Sequence, residues 1–438
     1  MNDPLRFVRG RPLIYLALFV AAFVTYSSRA HQSGRLAAPP EPGDSHDYEA
    51  IAYNLWKLRG YGYYWSDAGY RAPYEGAGPY GSLLARQSEY YPTAYRPPAL
   101  PVMLSVIYAV AGRNFAVWRI VNCAIVAGAV TLAAAISAHF AGLLAAPLCA
   151  VLLLQSAQLT RYSQMFMTEG IAAFLVTLLA FTWVANSRTQ WTIATAARHG
   201  LVLGALLAAR SIFVVWTPLA LLVPPVRDAS GATRPWLGKA VCAVCCLLVI
   251  GPWWMRNIIV TRSFMPTGTQ APLNLLSGFG PRALAYHGLW RSDRETGTEE
   301  LRALKIDPFS LEYEVRLGKI RSAIASRWMR EHPSDVLRLM VLHVWQEVRP
   351  QGRFSWDWLL PAGVLALLYF RKAPGAAAIG LMLLAQIMSV ALTWGAGGRF
   401  MVPVQPLLVA LVCAMVVAVV ARGTGLGKAR PGRAPQPA

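Results

Sequence analysis

Apolar residues run from Pro12 to Ser28 and again over residues 98–112, 118–139, 143–160, 167–185, 199–225, 237–254, 356–370, 375–394 and 401–421. Most of these runs approach the ~17–25 residues that a helix needs to cross a hydrocarbon core. The pattern predicts an all-α polytopic membrane protein. Two polar stretches, residues 29–97 and 255–355, interrupt the series. Each mixes Gly, Pro and aromatics with short amphipathic pieces, so neither reads as a separate soluble domain. The first run, preceded by Arg6, Arg9 and Arg11, is long enough to span and is followed by further spans, which favours a retained signal anchor over a cleaved signal peptide.

Two runs set the topology together. Residues 98–112 make only about 22 Å of helix against a ~30 Å core, and Pro97, Pro98 and Pro101 crowd their start. This piece is expected to lie in the interface. Residues 199–225 are then expected to be two short helices meeting near Arg210, because an arginine in mid-bilayer costs about 2.5–3.5 kcal/mol or more and one at an outer turn does not. If instead 98–112 spans and 199–225 is one helix, the count is still about ten, but Glu169 moves to the cytoplasmic side. The preferred reading is one transmembrane domain over residues 1–421 with about ten spans. It has two long outer loops, 29–97 (with an interfacial helix to 112) and 255–355, and a basic cytoplasmic tail, residues 422–438, expected to be disordered.

Composition agrees with a membrane protein. The 438 residues are 55% hydrophobic and 14% charged, with mean hydropathy +0.40. The net charge of +20 would suggest nucleic acid in a soluble chain, but its placement explains it without such a partner. Basic residues gather in short loops at Arg188 and Arg198, at Arg227, Arg234 and Lys239, at Arg371 and Lys372, and in the tail. Short cytoplasmic loops carry this bias, and both long loops then face the other side. The six cysteines, including Cys242, Cys245 and Cys246, lie in apolar runs and are expected to serve as packing.

The outer segments hold the candidate chemistry. From Tyr48 onward, apolar residues at 48, 51, 52, 55 and 56 have helical spacing, with Gly60 as a natural stop. Asp44 stands at the entrance, where spacing alone puts it at the N-cap, with Asp47 completing a variant capping box. That role is compatible with proton acceptance by a carboxylate on a membrane-surface cavity. The first outer loop holds 11 of the 18 tyrosines, which at this depth are expected chiefly as interface anchors, with sugar stacking the rarer use. It ends at Tyr95-Arg96-Pro97-Pro98, where Arg96 suits either an anionic phosphate or a lipid headgroup. Glu169 is read either as a helix cap or as a functional acid at the membrane boundary. Arg210, Arg256 and Arg399 each fall at an outer helix end. Together with Asp44, Glu169 and Arg96 they suggest a site for an anionic lipid-linked ligand. No G-x-x-x-x-G-K-[ST], H-E-x-x-H or G-x-S-x-G pattern occurs, which lowers support for nucleotide-driven transport and common hydrolase chemistry.

In these motifs the chain resembles the GT-C superfamily of glycosyltransferases, in the bacterial branch that uses polyprenyl-phosphate sugars. This branch includes protein mannosyltransferases, aminoarabinose lipid A transferases and lipopolysaccharide-core galacturonosyltransferases. The resemblance covers most of residues 8–420. It consists of Gly43-Asp44-x-x-x-Tyr48-x-x-Ile51-Ala52, Tyr95-Arg96-Pro97-Pro98, Thr168-Glu169, Gly204 with Arg210, Pro252-Trp253 with Arg256-Asn257, and Gly398-Arg399-Phe400 before Pro403. It implies a bundle of GT-C type in a bacterial inner membrane with a periplasmic active site. It also implies Asp44 as catalytic base, Arg96 on the lipid phosphate, and an inverting transfer from a polyprenyl-phosphate sugar to a lipid, glycan or protein acceptor. Glu169 is placed among the catalytic residues, and Arg210, Arg256, Arg399, Asp47, Tyr48 and Tyr95 among those binding substrate. Many members have Asp-Glu where Asp44-Ser45 stands here, and the aminoarabinose transferases have Arg in place of Asp47. No cofactor is called for, while a divalent metal and the sugar's identity stay open. Rival readings are a transporter or flippase of a lipid-linked sugar, which would be expected to show internal repeats, and a non-catalytic membrane scaffold, which would tolerate loss of both Asp44 and Arg96.

Overall fold

The computed structural model describes residues 11–227, 232–265, 267–291, 296–349 and 358–424. Arg6, Arg9 and the tail from residue 425 lie outside the described residues. In chain order, α1 (Pro12–Gln32) leads into the first polar segment, which carries α2 (Asp44–Trp56). Then follow α3 (Ala99–Ala111), α4 (Phe115–Ala141), α5 (Ala145–Leu154), α6 (Ala157–Gln164), α7 (Glu169–Asn186) and α8 (Ile193–Ala209). A 3-10 stretch, Ser211–Leu222, precedes α9 (Pro235–Thr261). The second polar segment contributes α10 (Gln270–Gly278), α11 (Leu311–Glu331) and α12 (Pro333–Val348). Finally come α13 (Leu359–Tyr369), α14 (Ala376–Ala391), a 3-10 turn at Arg399–Val404, and α15 (Gln405–Gly423).

The protein is a multi-pass membrane protein. Among the described residues, five helices have the length and apolarity to cross a bilayer: α1, α4, α7, α9 and the continuous stretch Arg399–Gly423. Six shorter apolar helices accompany them, and the expected ten passages require some of these to pair end to end or tilt. Residues 199–225 do divide. Arg210 is extended, at φ −151° and ψ 126°, between α8 and the 3-10 stretch. The piece at 98–112 forms a 13-residue helix, α3, about 20 Å long. Its exposed Val102, Val106 and Val110 make a single stripe with the i, i+4, i+8 spacing of a lipid-facing edge.

Three expected boundaries move. The run 143–160 breaks at Gln155, because the Ser156 hydroxyl caps a new helix by accepting from the Leu159 N–H at 3.1 Å. The run at 237–254 continues through Pro252 to Thr261, which places Arg256 inside the helix instead of at its end. α2 stops at Trp56 instead of Gly60.

The bundle has two chemically different ends. At one end Phe140 meets Phe370 (5.1 Å between centroids), Arg422 lies over Tyr369, and Trp183, Trp191 and His199 cluster. The basic turns around Arg188, Arg371 and Lys372 belong there. Both polar segments lie at the other end. The first has its own aromatic core, in which Tyr63, Trp65, Tyr70, Tyr74 and Tyr80 are buried against one another. These tyrosines were expected as interface anchors; a segment of this length instead needs apolar mass of its own to stay folded.

α8 and α9 pack closely along a small-residue seam. A side chain at Gly200 would collide with the Cys242 backbone and one at Gly204 with the Cys246 backbone. Small residues four apart permit such contact between membrane helices. Cys242 and Cys246 are buried there and, like the other cysteines, free, in keeping with a packing role. Gly200→Val is expected to cost about 1–3 kcal/mol by overpacking, measured as a lower melting temperature in detergent. Cys245→Ala, at a partly exposed position, should leave the melting temperature unchanged.

Candidate functional site

The approach to the site is made by residues 33–43. Arg119, fully buried on α4, donates to the carbonyls of Leu36 (3.0 Å), Ala38 (2.6 Å) and Gln164 (2.8 Å). Gly43 then turns the chain at φ 109° and ψ −137°, a conformation that glycine adopts far more readily than other residues. α2 therefore starts at Asp44 itself. Glu49, also buried, holds α2 in place. It pairs with Arg113 (2.8 Å) and accepts from the hydroxyls of Tyr74 (2.9 Å) and Tyr108 (3.1 Å).

The expected capping role is not realised: no side chain caps α2. Asp44 instead bridges two arginines, with Oδ1 at 2.6 Å from Arg96 Nη2 and Oδ2 at 3.0 Å from Arg399 Nη1. Arg96 also meets Asp47 Oδ2 at 2.6 Å, and Asp47 meets Arg86 at 3.4 Å. Beyond Arg399, Glu169 Oε1 accepts from Arg399 Nε and pairs with Arg210 Nη1 at 2.7 Å. The result is an alternating chain, Asp47, Arg96, Asp44, Arg399, Glu169, Arg210. Carboxylates at the first turn of α2 also complement its dipole.

Aromatic faces complete the setting of the cations. Arg96 lies 5.2 Å from the Tyr48 ring and 4.9 Å from Tyr95, and Arg210 lies 5.2 Å from Phe400. Burial by itself would push the Asp44 carboxyl up, but Arg96 and Arg399 reverse this and hold it well below the usual carboxylate range. Burial likewise works against the charge of Arg96, and Asp44 and Asp47 more than offset it. Among the described residues no three of His, Cys, Asp and Glu converge as a cation site; Asp44, Asp47 and Glu169 are engaged with guanidiniums.

Three cavities meet at Asp44. One, of about 330 Å³, is lined by Arg96, Arg210 and Arg399 together with apolar Ile212, Leu289 and Phe400. A second, of about 360 Å³, has walls of Tyr63, Trp65, Tyr91, Tyr95 and Phe309, with Asp47 and Glu314. A third, of about 420 Å³, opens toward Gln158, Arg161 and Tyr162.

The chain matches no protein-family model and no curated protein sequence. Among solved structures it is similar to the oligosaccharyltransferase of Archaeoglobus fulgidus in its apo form, with TM-score 0.50 and 14% identity over 96% of this chain and 53% of that one. The same archaeal protein tethered to an acceptor peptide containing the NVT sequon gives TM-score 0.50 and 14% identity, over 95% and 50%. ArnT from Cupriavidus metallidurans bound to undecaprenyl phosphate gives 0.41 and 13%, over 95% and 81%. The chain thus spans about half the length of the archaeal protein. Its fold is of the GT-C type.

Within this GT-C fold, residues far apart in sequence converge. Asp44, Asp47, Tyr48, Tyr95, Arg96, Arg210 and Arg399 all line cavities that meet at Asp44. Two predicted residues are placed differently. Arg256 is outside the cluster: its guanidinium donates to the carbonyls of Thr93 (2.5 Å) and Tyr61 (2.9 Å) and lies over Tyr61 and Trp253. Because α9 runs on past Pro252, this arginine fastens the first polar segment to α9 instead of reaching the site. Glu169 is fully buried and lines none of the three cavities, so its influence runs through Arg210 and Arg399.

Two acids of the second polar segment were not singled out from the sequence. Glu347, near the end of α12, accepts from the backbone N–H groups of Ala396 and Phe400 (2.9 Å to the latter) and so pins the turn that carries Arg399. Burial raises its carboxyl to about 7 against those two bonds. Glu314, on α11, accepts from the hydroxyls of Thr93 (2.7 Å) and Thr269 (2.9 Å). Burial raises it to about 7 despite these bonds and the Ala94 N–H. Neither acid lies in a motif; only their contacts distinguish them.

A raised carboxyl favours the protonated folded protein. The stability contributed by Glu314 is therefore present below its ordinary value of 4.5 and lost as pH rises through about 7. Between those limits the wild type is expected to lose on the order of 3 kcal/mol relative to Glu314→Gln. Thermal melting of both proteins across this pH range measures it, and parallel profiles would contradict the assignment.

Proposed function

We propose that the protein is a membrane glycosyltransferase that moves a sugar from a polyprenyl-phosphate donor to a lipid, glycan or protein acceptor, with inversion at the anomeric carbon. The observation that carries this reading is the convergence of Arg96, Arg210 and Arg399 with the Asp44 carboxylate on one cavity with apolar flanks. An anionic head joined to a hydrocarbon tail suits such a lining. Guanidinium forks match phosphate oxygens, and Ile212, Leu289 and Phe400 offer apolar surface beside them. The archaeal protein of the same fold is named an oligosaccharyltransferase and was solved with a tethered acceptor peptide, which supports glycan transfer as the reaction class.

In this reaction the acceptor hydroxyl attacks the anomeric carbon, and the bond from that carbon to the phosphate oxygen breaks. The acceptor proton passes to Asp44. The departing polyprenyl phosphate gains a second negative charge, which Arg96 and Arg399 stabilise. Without donor, both arginines are engaged by Asp44, and the carboxylate is a weak base. A phosphate entering the cavity competes for the two guanidiniums, so the basicity of Asp44 rises toward that of an ordinary carboxylate as the donor binds. Glu169 acts as a positioning residue, orienting Arg210 and Arg399 from behind. Placement in a bacterial inner membrane with the site on the periplasmic face is supported by the basic turns at the opposite end of the bundle.

Asp44→Asn tests the base. Each arginine keeps a second carboxylate, Asp47 for Arg96 and Glu169 for Arg399, so no buried charge is orphaned and the melting temperature should change little. Transfer is expected to fall about 10²–10⁴-fold, the usual worth of a general base. Mass spectrometry of envelope glycolipids and polyprenyl-phosphate sugars, in a deletion strain complemented with each variant, should show donor accumulating and product lost. Undiminished product from the Asn variant would refute the role.

A further inference from the structure

A trough leaves Asp44 on the side of α1 and α6. Its near half is the cavity of about 420 Å³ that Asp44 and Arg399 close at one end and Gln158, Arg161 and Met165 line at the other. Its far half, about 560 Å³, is lined by Arg29, Ser33, Arg35, Glu41, Thr160 and Gln164, with Arg161 and Met165 shared between the two halves. The far half carries three guanidiniums against one carboxylate. The nearest pairing of that carboxylate, Arg35 with Glu41 at 3.8 Å, is exposed on the arginine side and weak for that reason. Among the described residues, neither Arg29 nor Arg161 has a carboxylate partner.

Arg29 is fixed where it stands, because its Nη1 donates to the Leu154 carbonyl (2.5 Å) and the Thr160 hydroxyl (3.0 Å). Arg161 is exposed and stands where the halves join. A concave surface with excess positive charge concentrates anions, and fixed guanidinium donors favour phosphate over a diffuse counterion. The trough meets the cavity between Arg96, Arg210 and Arg399 at Asp44 and Arg399, and leads away from it toward Arg161. If Asp44 receives the acceptor's proton, this is a side from which an acceptor can come.

We infer that the trough seats a phosphate group of the acceptor. The inference rests on the reading of Asp44 as acceptor base and adds a substrate class to it. The acceptor is a phosphate-bearing molecule whose hydroxyl reaches Asp44 past Arg161, while the donor's phosphate occupies the other arginines.

The test uses the full chain in detergent, first saturated with undecaprenyl phosphate to fill the donor cavity. Binding of lysophosphatidate, lysophosphatidylcholine and inorganic phosphate is then followed by native mass spectrometry and by competition. Arg35→Gln combined with Arg161→Gln should weaken lysophosphatidate by about tenfold and leave undecaprenyl phosphate and the melting temperature as in the wild type. The pair R35K/R161K, which keeps both charges, should retain most of the binding. Weakening of lysophosphatidate alone supports a lipid acceptor, and equal weakening of inorganic phosphate supports a soluble one. Unchanged binding of both probes, or equal losses for lysophosphatidate and lysophosphatidylcholine, would overturn the inference. Undecaprenyl phosphate retained undiminished by Arg96→Gln would count against the donor cavity and leave the trough result standing.

Discussion

Three arginines and three acids, drawn from α2, the Arg96 turn, α7, the Arg210 break and the Arg399 turn, sit in one alternating chain at one end of a membrane bundle. Removing such charges from water costs several kcal/mol per ion, and only close, well-oriented partners offset it. Every member except the terminal Arg210 therefore touches two of opposite sign, Asp47 with Arg86 as its second partner. Asp44 is held between Arg96 and Arg399, and Glu169 between Arg399 and Arg210. Each guanidinium of this alternating chain is paired to a carboxylate, a partner that in the proposed reaction the donor's phosphate replaces.

Most of the remaining structure at this end serves to hold that chain. Arg119 gathers the carbonyls before α2, Glu49 and Arg113 fix α2 against α3 and α4, and Arg256 fastens the end of the first polar segment to α9. Glu347 does the equivalent for the Arg399 turn through two backbone N–H groups. Arg119, Glu49 and Glu347 are themselves buried and polar, so each requires its partners to be in register. Rigidity of this kind suits a site whose chemistry depends on where two or three charges stand.

The division of the bundle into unlike ends gives the site its setting. Basic turns gather at one end and both polar segments at the other, and the aromatic core of the first segment gives it a stability of its own. Cavities meet at Asp44 from different sides, which in the proposed function gives donor and acceptor different openings onto one carboxylate. The GT-C fold supplies this geometry, and the arginines of this chain give it its charge.

Much of this was legible in the residues alone. Long apolar runs determined the helices, since few other arrangements satisfy so much apolar surface. The cost of a buried arginine placed the break at Arg210, and the bias of Lys and Arg set the two ends apart. The motif order picked out Asp44, Arg96, Glu169, Arg210 and Arg399. Long-range pairing was not legible, because local spacing cannot say which distant groups will neutralise one another. Capping chemistry at Asp44 yielded to ion pairs with residues 52 and 355 positions away, Arg256 was taken by backbone carbonyls once α9 ran past Pro252, and Glu314 and Glu347 acquired their roles purely from what lies beside them. Sequence determined that the chain is a multi-pass bundle of helices and where most of its apolar helices run. Tertiary structure decided which charges meet, because burial of each one depends on a partner supplied by another part of the chain.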